Sequence, residues 1–156
     1  MLLRFTFAIK ITNMYYHLKS THNIWGMLVL FILLFTLIVA LIRLLSKKSF
    51  NKFSKITALI GLIIVHTQIA FGLLLYFLSP LGLNNFNAEA MKIKISRFYI
   101  VEHPIGMILA AILITIGYKK SKKIDYSDVK KHTQILIYYG LGFIIINYLI
   151  PWFLWY

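Results

Sequence analysis

The sequence predicts an all-α integral membrane protein, an up-down antiparallel four-helix bundle in one transmembrane domain covering residues 1–156. Three observations carry that expectation. The chain is 60% hydrophobic with a mean hydropathy of +0.80, whereas a soluble domain sits nearer about 45–50% apolar. The apolar residues gather into four runs, each close to the roughly 20 residues that a helix needs to cross a bilayer. The basic residues behind the formal net charge of +13 collect mainly in two of the connections, as the positive-inside rule requires.

Residues Met1–Lys19 are mixed in character. Their apolar pieces are too short to span, and no small-residue cleavage site follows a clean apolar run, so no signal peptide is read there. Met14 is a candidate natural start. The first span is Asn23–Leu45, with Trp25 placed as an aromatic-belt residue and Arg43 able to snorkel from the last turn. The second span is 56–79, closed by Ser79 and by Pro80, which cannot donate within a helix. In the next connection Asn87 reads as a cap for a short helix beginning at Ala88, with Glu89 in its first turn. The third span is 98–118, and the fourth is 133–155, ending in Trp152, Trp155 and Tyr156. Arg43 and the first and third connections hold eleven basic residues, against six in the N-terminal segment and second connection. The richer side faces the cytoplasm, which places both termini on the non-cytoplasmic side.

Cysteine is absent, which excludes disulfides, iron–sulfur clusters and thiolate metal sites. No nucleophile–histidine–carboxylate set and no phosphate-cradling glycine loop is readable. The lysine-rich loops read as membrane borders in contact with anionic lipid, with no nucleic-acid role.

Chemistry is expected at the histidines. His66 stands in the middle of a span that carries no formal charge, and an ionisable group at that depth is costly unless it is satisfied. At 1.5 Å per residue, His66 lies roughly 16 Å and His103 roughly 24 Å from the cytoplasmic border. These two are the histidines predicted to lie well inside the apolar layer, on sequential antiparallel helices. That arrangement suggests a haem clamped between His66 and His103 as metal ligands. Gly106, Ala110 and Gly117 share the helix face of His103 and would make room for a porphyrin, or equally for a neighbouring helix. Asn147 falls at the depth of His103 and reads as a group supporting the site. The two imidazoles differ in height by roughly 8 Å. If helix tilt or a kink at Pro104 does not close that gap, His22 becomes the partner of His103 and His66 a hydrogen-bonded residue. Glu102 reads as an interfacial contact for Arg97, and His132 as a surface residue among lysines.

The order of these signals resembles a known family. THNIW precedes the first span, HTQIAFGLLLYFLSP forms the second, VEHP followed by MILAAILITIGYKKSKK forms the third, and IPWFLW lies at the end. Over Met14–Tyr156 this is similar to the small four-span bacterial inner-membrane proteins known as cytochrome b. The resemblance implies a haem b protein, with His22, His66 and His103 as matching positions and with electron transfer in or near the respiratory chain, through a quinone or a respiratory complex. The histidine placement is also similar in style to one half of haem A synthase, although Pro104 stands where that enzyme's motif has an arginine. A haem-handling enzyme or oxidase assembly factor is the first alternative, and a non-haem structural membrane subunit the second.

Overall fold

The structure, a computed structural model, describes residues 2–152, with side chains over 13–152. The end of the predicted fourth span, with Trp155 and Tyr156, lies outside the described residues. The helices are α1 (Leu2–Leu45), α2 (Lys52–Leu78), α3 (Ala88–Lys92), α4 (Lys94–Arg97), α5 (His103–Ser121) and α6 (Asp128–Tyr148). No strand occurs among the described residues. Three segments, Asn13–Leu45, Lys52–Asn85 and Lys94–Ser121, are long and apolar enough to cross a membrane, so by length and composition this is a multi-pass membrane protein. Helix α6 opens on Asp128, Lys130 and Lys131, which dilutes its apolar run.

The four long helices pack in a ring: α1 touches α2 and α6, and α5 touches the same two. Neighbours run antiparallel. Near one end Gln68 of α2 bonds His22 of α1, and near the other Thr36 of α1 bonds the Thr57 carbonyl of α2. Residue numbers therefore rise along α2 as they fall along α1. The same rule holds between α5 and α6, where Gly106 meets Leu149 and Gly117 meets Tyr138.

Local chemistry sets the helix ends. Asn51, Asn87 and Ser127 each accept a hydrogen bond from a backbone N–H of the first turn they cap, in α2, α3 and α6. This satisfies one of the donors that a helix start leaves unpaired. Helix α2 stops at Leu78, just before Ser79 and Pro80. In the tight turn that follows, a Cβ on Gly82 would run into the Tyr76 carbonyl, so only glycine lets the chain pass.

The interior is built from small and medium side chains around the Tyr139 ring, and many bulky apolar side chains face outward. Leu33, Ala58, Ala110, Ile114, Ile135 and Tyr139 are buried, while Phe31, Phe35, Ile38, Ile42, Ile63 and Ile144 are exposed. In lipid this is stable, because tails solvate leucine and phenylalanine as well as a core does and helix association rests on close packing. Glycines supply the close approach. Gly61 admits the Tyr139 ring, whose hydroxyl donates to the Ala58 carbonyl at 2.6 Å.

Two residues sit differently from the sequence expectation. Trp25 is not a lipid-facing belt residue: it is half-buried, its Nε1 donates to the Ile64 carbonyl at 3.2 Å, and its ring stands edge-on to Phe71. Helix α1 starts many residues before Asn23, so Trp25 lies within a continuous helix. His132 is 1% exposed because the 46–51 connection folds over it and lays the Phe50 ring 5.0 Å from its own. Burial there lowers its pKa below the ordinary 6.5. Arg43 adds to that, while the nearby Lys48 and Ser49 carbonyls and Asp128 oppose it. The unfolded chain therefore binds more protons as pH falls through about 6.5, and the native state loses stability. We expect thermal melts of the wild type to fall between pH 7 and pH 5 by more than those of His132→Phe.

Candidate functional site

Near the α2–α4 connection an open-sided cavity of about 440 Å³ lies between α1, α2, α5 and the end of α6, within the range of about 300–1,000 Å³ typical of small-molecule sites. Its walls are largely apolar, with Val29, Ile69, Met107 and Ile146 among them, and no carboxylate lines it. Its polar lining includes His22, Gln68 and His103, together with Lys19, Asn23, Tyr76, Ser79 and Tyr99.

How His103 comes to face this cavity follows from Pro104. Proline has no N–H to give to the carbonyl four residues earlier, which is that of Ile100. The chain widens into a π-helical turn over Phe98–Glu102, and the His103 N–H returns to the Phe98 carbonyl. Such turns recur at functional sites. The Ile100 carbonyl is satisfied from the next helix, by the Tyr76 hydroxyl at 3.1 Å. Across the outside of the turn, Arg97 Nε donates to Glu102 Oε1 at 2.9 Å, so Glu102 makes the contact expected of it. Tyr76→Phe leaves the Ile100 carbonyl unpaired at a helix junction and should cost about 1 kcal/mol, readable as a lower thermal midpoint in detergent.

The two imidazoles that meet here are His22 and His103, with ring centroids 6.4 Å apart and planes inclined at 68°. The Nδ1 of His103 lies 2.9 Å from the Leu149 carbonyl. A carbonyl only accepts, so Nδ1 carries the proton and Nε2 keeps its lone pair. A ligating histidine is oriented in the same way, by donating its second ring nitrogen. Gln68 Nε2 donates to the His22 carbonyl at 3.0 Å and lies 3.3 Å from His22 Nε2, while His22 Nδ1 and Gln68 Oε1 are buried without a hydrogen bond. Gly72 leaves room for the His22 ring, whose Cε1 would lie 3.2 Å from a Cβ at that position.

The other predicted site residues lie elsewhere. His66 does not line the cavity. It is exposed on the outer surface of α2, with Nδ1 2.9 Å from the Leu62 carbonyl and Nε2 3.3 Å from the Thr115 hydroxyl. Thr115 follows His103 by twelve residues on α5, roughly 18 Å along the axis, so His66 and His103 do not share one metal ion. Gly106 faces α6, where a Cβ would run into Leu149. Ala110 and Gly117 also pack on α6, against Gly142 and Tyr138, so this stripe serves helix packing. Asn147 is near the level of His103 but exposed, and its backbone carbonyl accepts from Trp152 Nε1 at 2.9 Å. The sequence reading had no role for Gln68 or Tyr76. The signal for Gln68 was a long polar side chain in an apolar span. Pro104 marked Ile100 as a carbonyl in need of a donor, but not which residue supplies it.

Among the described residues no group of three or more His, Cys, Asp or Glu is placed to hold a metal ion, so the cavity offers no all-protein cage. Two neutral imidazoles suffice where a porphyrin supplies the remaining ligands. With a metal–nitrogen bond of about 2 Å, as for zinc–imidazole, two rings on opposite sides of one metal have centroids about 6 Å apart. The 6.4 Å spacing and the unprotonated Nε2 of His103 fit a haem, whereas the Gln68 amide at His22 Nε2 makes Nδ1 the protonated nitrogen of His22, so His22 would ligate through Nε2 only after Gln68 releases it. No family model, curated protein or solved structure matches this chain.

Proposed function

We propose that this protein is a b-type cytochrome of the bacterial inner membrane, with haem b held between His22 of α1 and His103 of α5. The observation that supports it is the pairing of these two imidazoles at 6.4 Å on an apolar cavity. In this reading the Leu149 carbonyl holds His103 in the tautomer that presents Nε2, Gln68 seats His22 against Gly72, and the apolar walls keep water away. Bound haem supplies one-electron chemistry, exchanging electrons with a quinone in the bilayer or with a neighbouring respiratory complex. A structural subunit without haem is the competing reading. It draws on the Gln68 amide that already faces His22 Nε2 at 3.3 Å and satisfies that ring in part. The absorption spectrum of protein purified from a haem-replete host separates the two: a cytochrome has a Soret band and sharp reduced bands, a structural subunit has neither.

Helix α6 is the fourth span in this proposal, continuing past Tyr148. The basic asymmetry of eleven to six residues then puts the 119–131 loop in the cytoplasm and both termini outside it. A reporter inserted in that loop should be active only in its cytoplasmic form, and one fused at the C-terminus only in its exported form. A cytoplasmic C-terminus would overturn this topology.

A further inference from the structure

At the other end of the bundle, under the 46–51 connection, His132 is 1% exposed, and neither ring nitrogen makes a well-formed hydrogen bond, although the Lys48 and Ser49 carbonyls lie near the ring. Those carbonyls can only accept, from the protonated ring nitrogen; the unprotonated one needs a donor, a buried imidazole nitrogen left unpaired is costly, and no side chain supplies that donor. The space for one is present: a cavity of about 10 Å³ bounded by His132, Thr36, Ser54, Thr57 and Phe50. That is about the smallest volume that holds one water molecule, provided it finds two to four polar partners.

The hydroxyls are suitably disposed. Thr36 Oγ1 gives its proton to the Ile32 and Thr57 carbonyls at 2.9 and 3.2 Å, and Thr57 Oγ1 gives its own to the Ser54 carbonyl at 3.1 Å. Both oxygens keep lone pairs that accept. The Ser54 hydroxyl has only a 3.5 Å contact with Asn51 Oδ1, which leaves its proton available to a better acceptor. We propose that this cavity binds a single water molecule that joins His132 of α6 to the hydroxyls of Thr36 on α1 and of Ser54 and Thr57 on α2. The water donates to the unprotonated ring nitrogen and to a threonine oxygen, and accepts from Ser54. It latches three helices together beneath the 46–51 connection, where no direct side-chain hydrogen bond links His132 to them.

The test is water-edited solid-state NMR on the full chain in bilayers, with ¹⁵N-labelled histidine and the His132 signals assigned by their loss in His132→Phe. Despite its burial, His132 should receive polarisation from water. In Thr57→Val, which replaces one partner hydroxyl by a methyl, the transfer should fall by half or more. Ser54→Ala serves the same purpose if Thr57→Val fails to assemble. Absence of transfer to His132 in the wild type, or transfer unchanged in both variants, overturns the site.

Discussion

If the proposed cytochrome reading holds, protein carrying His103→Ala should purify without haem, and so should protein carrying His22→Ala. Each variant would remove one of the two ligands proposed for the haem, and no other histidine lines the cavity. Loss of a supporting group around a metal typically costs about 10–100-fold in affinity, and loss of a ligand should exceed that. His66→Ala gives the contrast, because its ring bonds Leu62 and Thr115 on the outer surface. That variant should keep its haem and lose only a small interhelical contribution, about 0.6–1.7 kcal/mol. His132→Ala should also keep its haem, since His132 lies under the opposite end of the bundle. Haem content per protein, read by pyridine haemochrome on all four variants, checks this. Retention in both His22→Ala and His103→Ala would sink the ligand assignment.

Gly142→Leu should destabilise the packing of α5 on α6. A Cβ at position 142 lies 2.8 Å from Ile114 Cγ1 and 3.2 Å from the Ala110 carbonyl oxygen. Ile114 is fully buried and has little room to yield, and the Ala110 oxygen is backbone. Overpacking of this kind costs about 1–3 kcal/mol and occasionally more. Two residues away the outcome reverses. A Cβ at Gly140 meets only Leu37 Cδ2, at 4.0 Å, so Gly140→Ala should be neutral or stabilise the helix by about 0.5–1 kcal/mol. Size-exclusion profiles and thermal melts of the two variants in one detergent test the pair. Equal behaviour would mean that α5 and α6 do not approach as described.

Helix ends were the most legible part of the chain. Asn87 caps α3 as its position before Ala88 and Glu89 implied, and Pro80 stands just past the end of α2. These signals are local, a side chain acting on its own turn. The helical character and the apolar spans were legible in composition for a similar reason. The pairing of histidines was less so. Depth counted from the lysines put His22 at the surface, because a span was taken to begin at Asn23, whereas α1 is already helical long before it. The face shared by His103, Gly106, Ala110 and Gly117 fitted a porphyrin or a helix equally well, and only the position of α6 decides between them. His132 is flanked by Lys130 and Lys131 and read as surface, yet it is covered by Phe50, more than eighty residues earlier in sequence. Long-range packing of this kind leaves no mark in a local pattern.

The central claim, that His22 and His103 hold one iron between them, is tested most directly by electron paramagnetic resonance and near-infrared magnetic circular dichroism of the oxidised purified protein. The account predicts a low-spin ferric haem with two imidazole ligands, lost in His22→Ala and His103→Ala and preserved in His66→Ala. A high-spin centre, a low-spin centre with only one imidazole, or a bis-imidazole signal that survives in either ligand variant would contradict it.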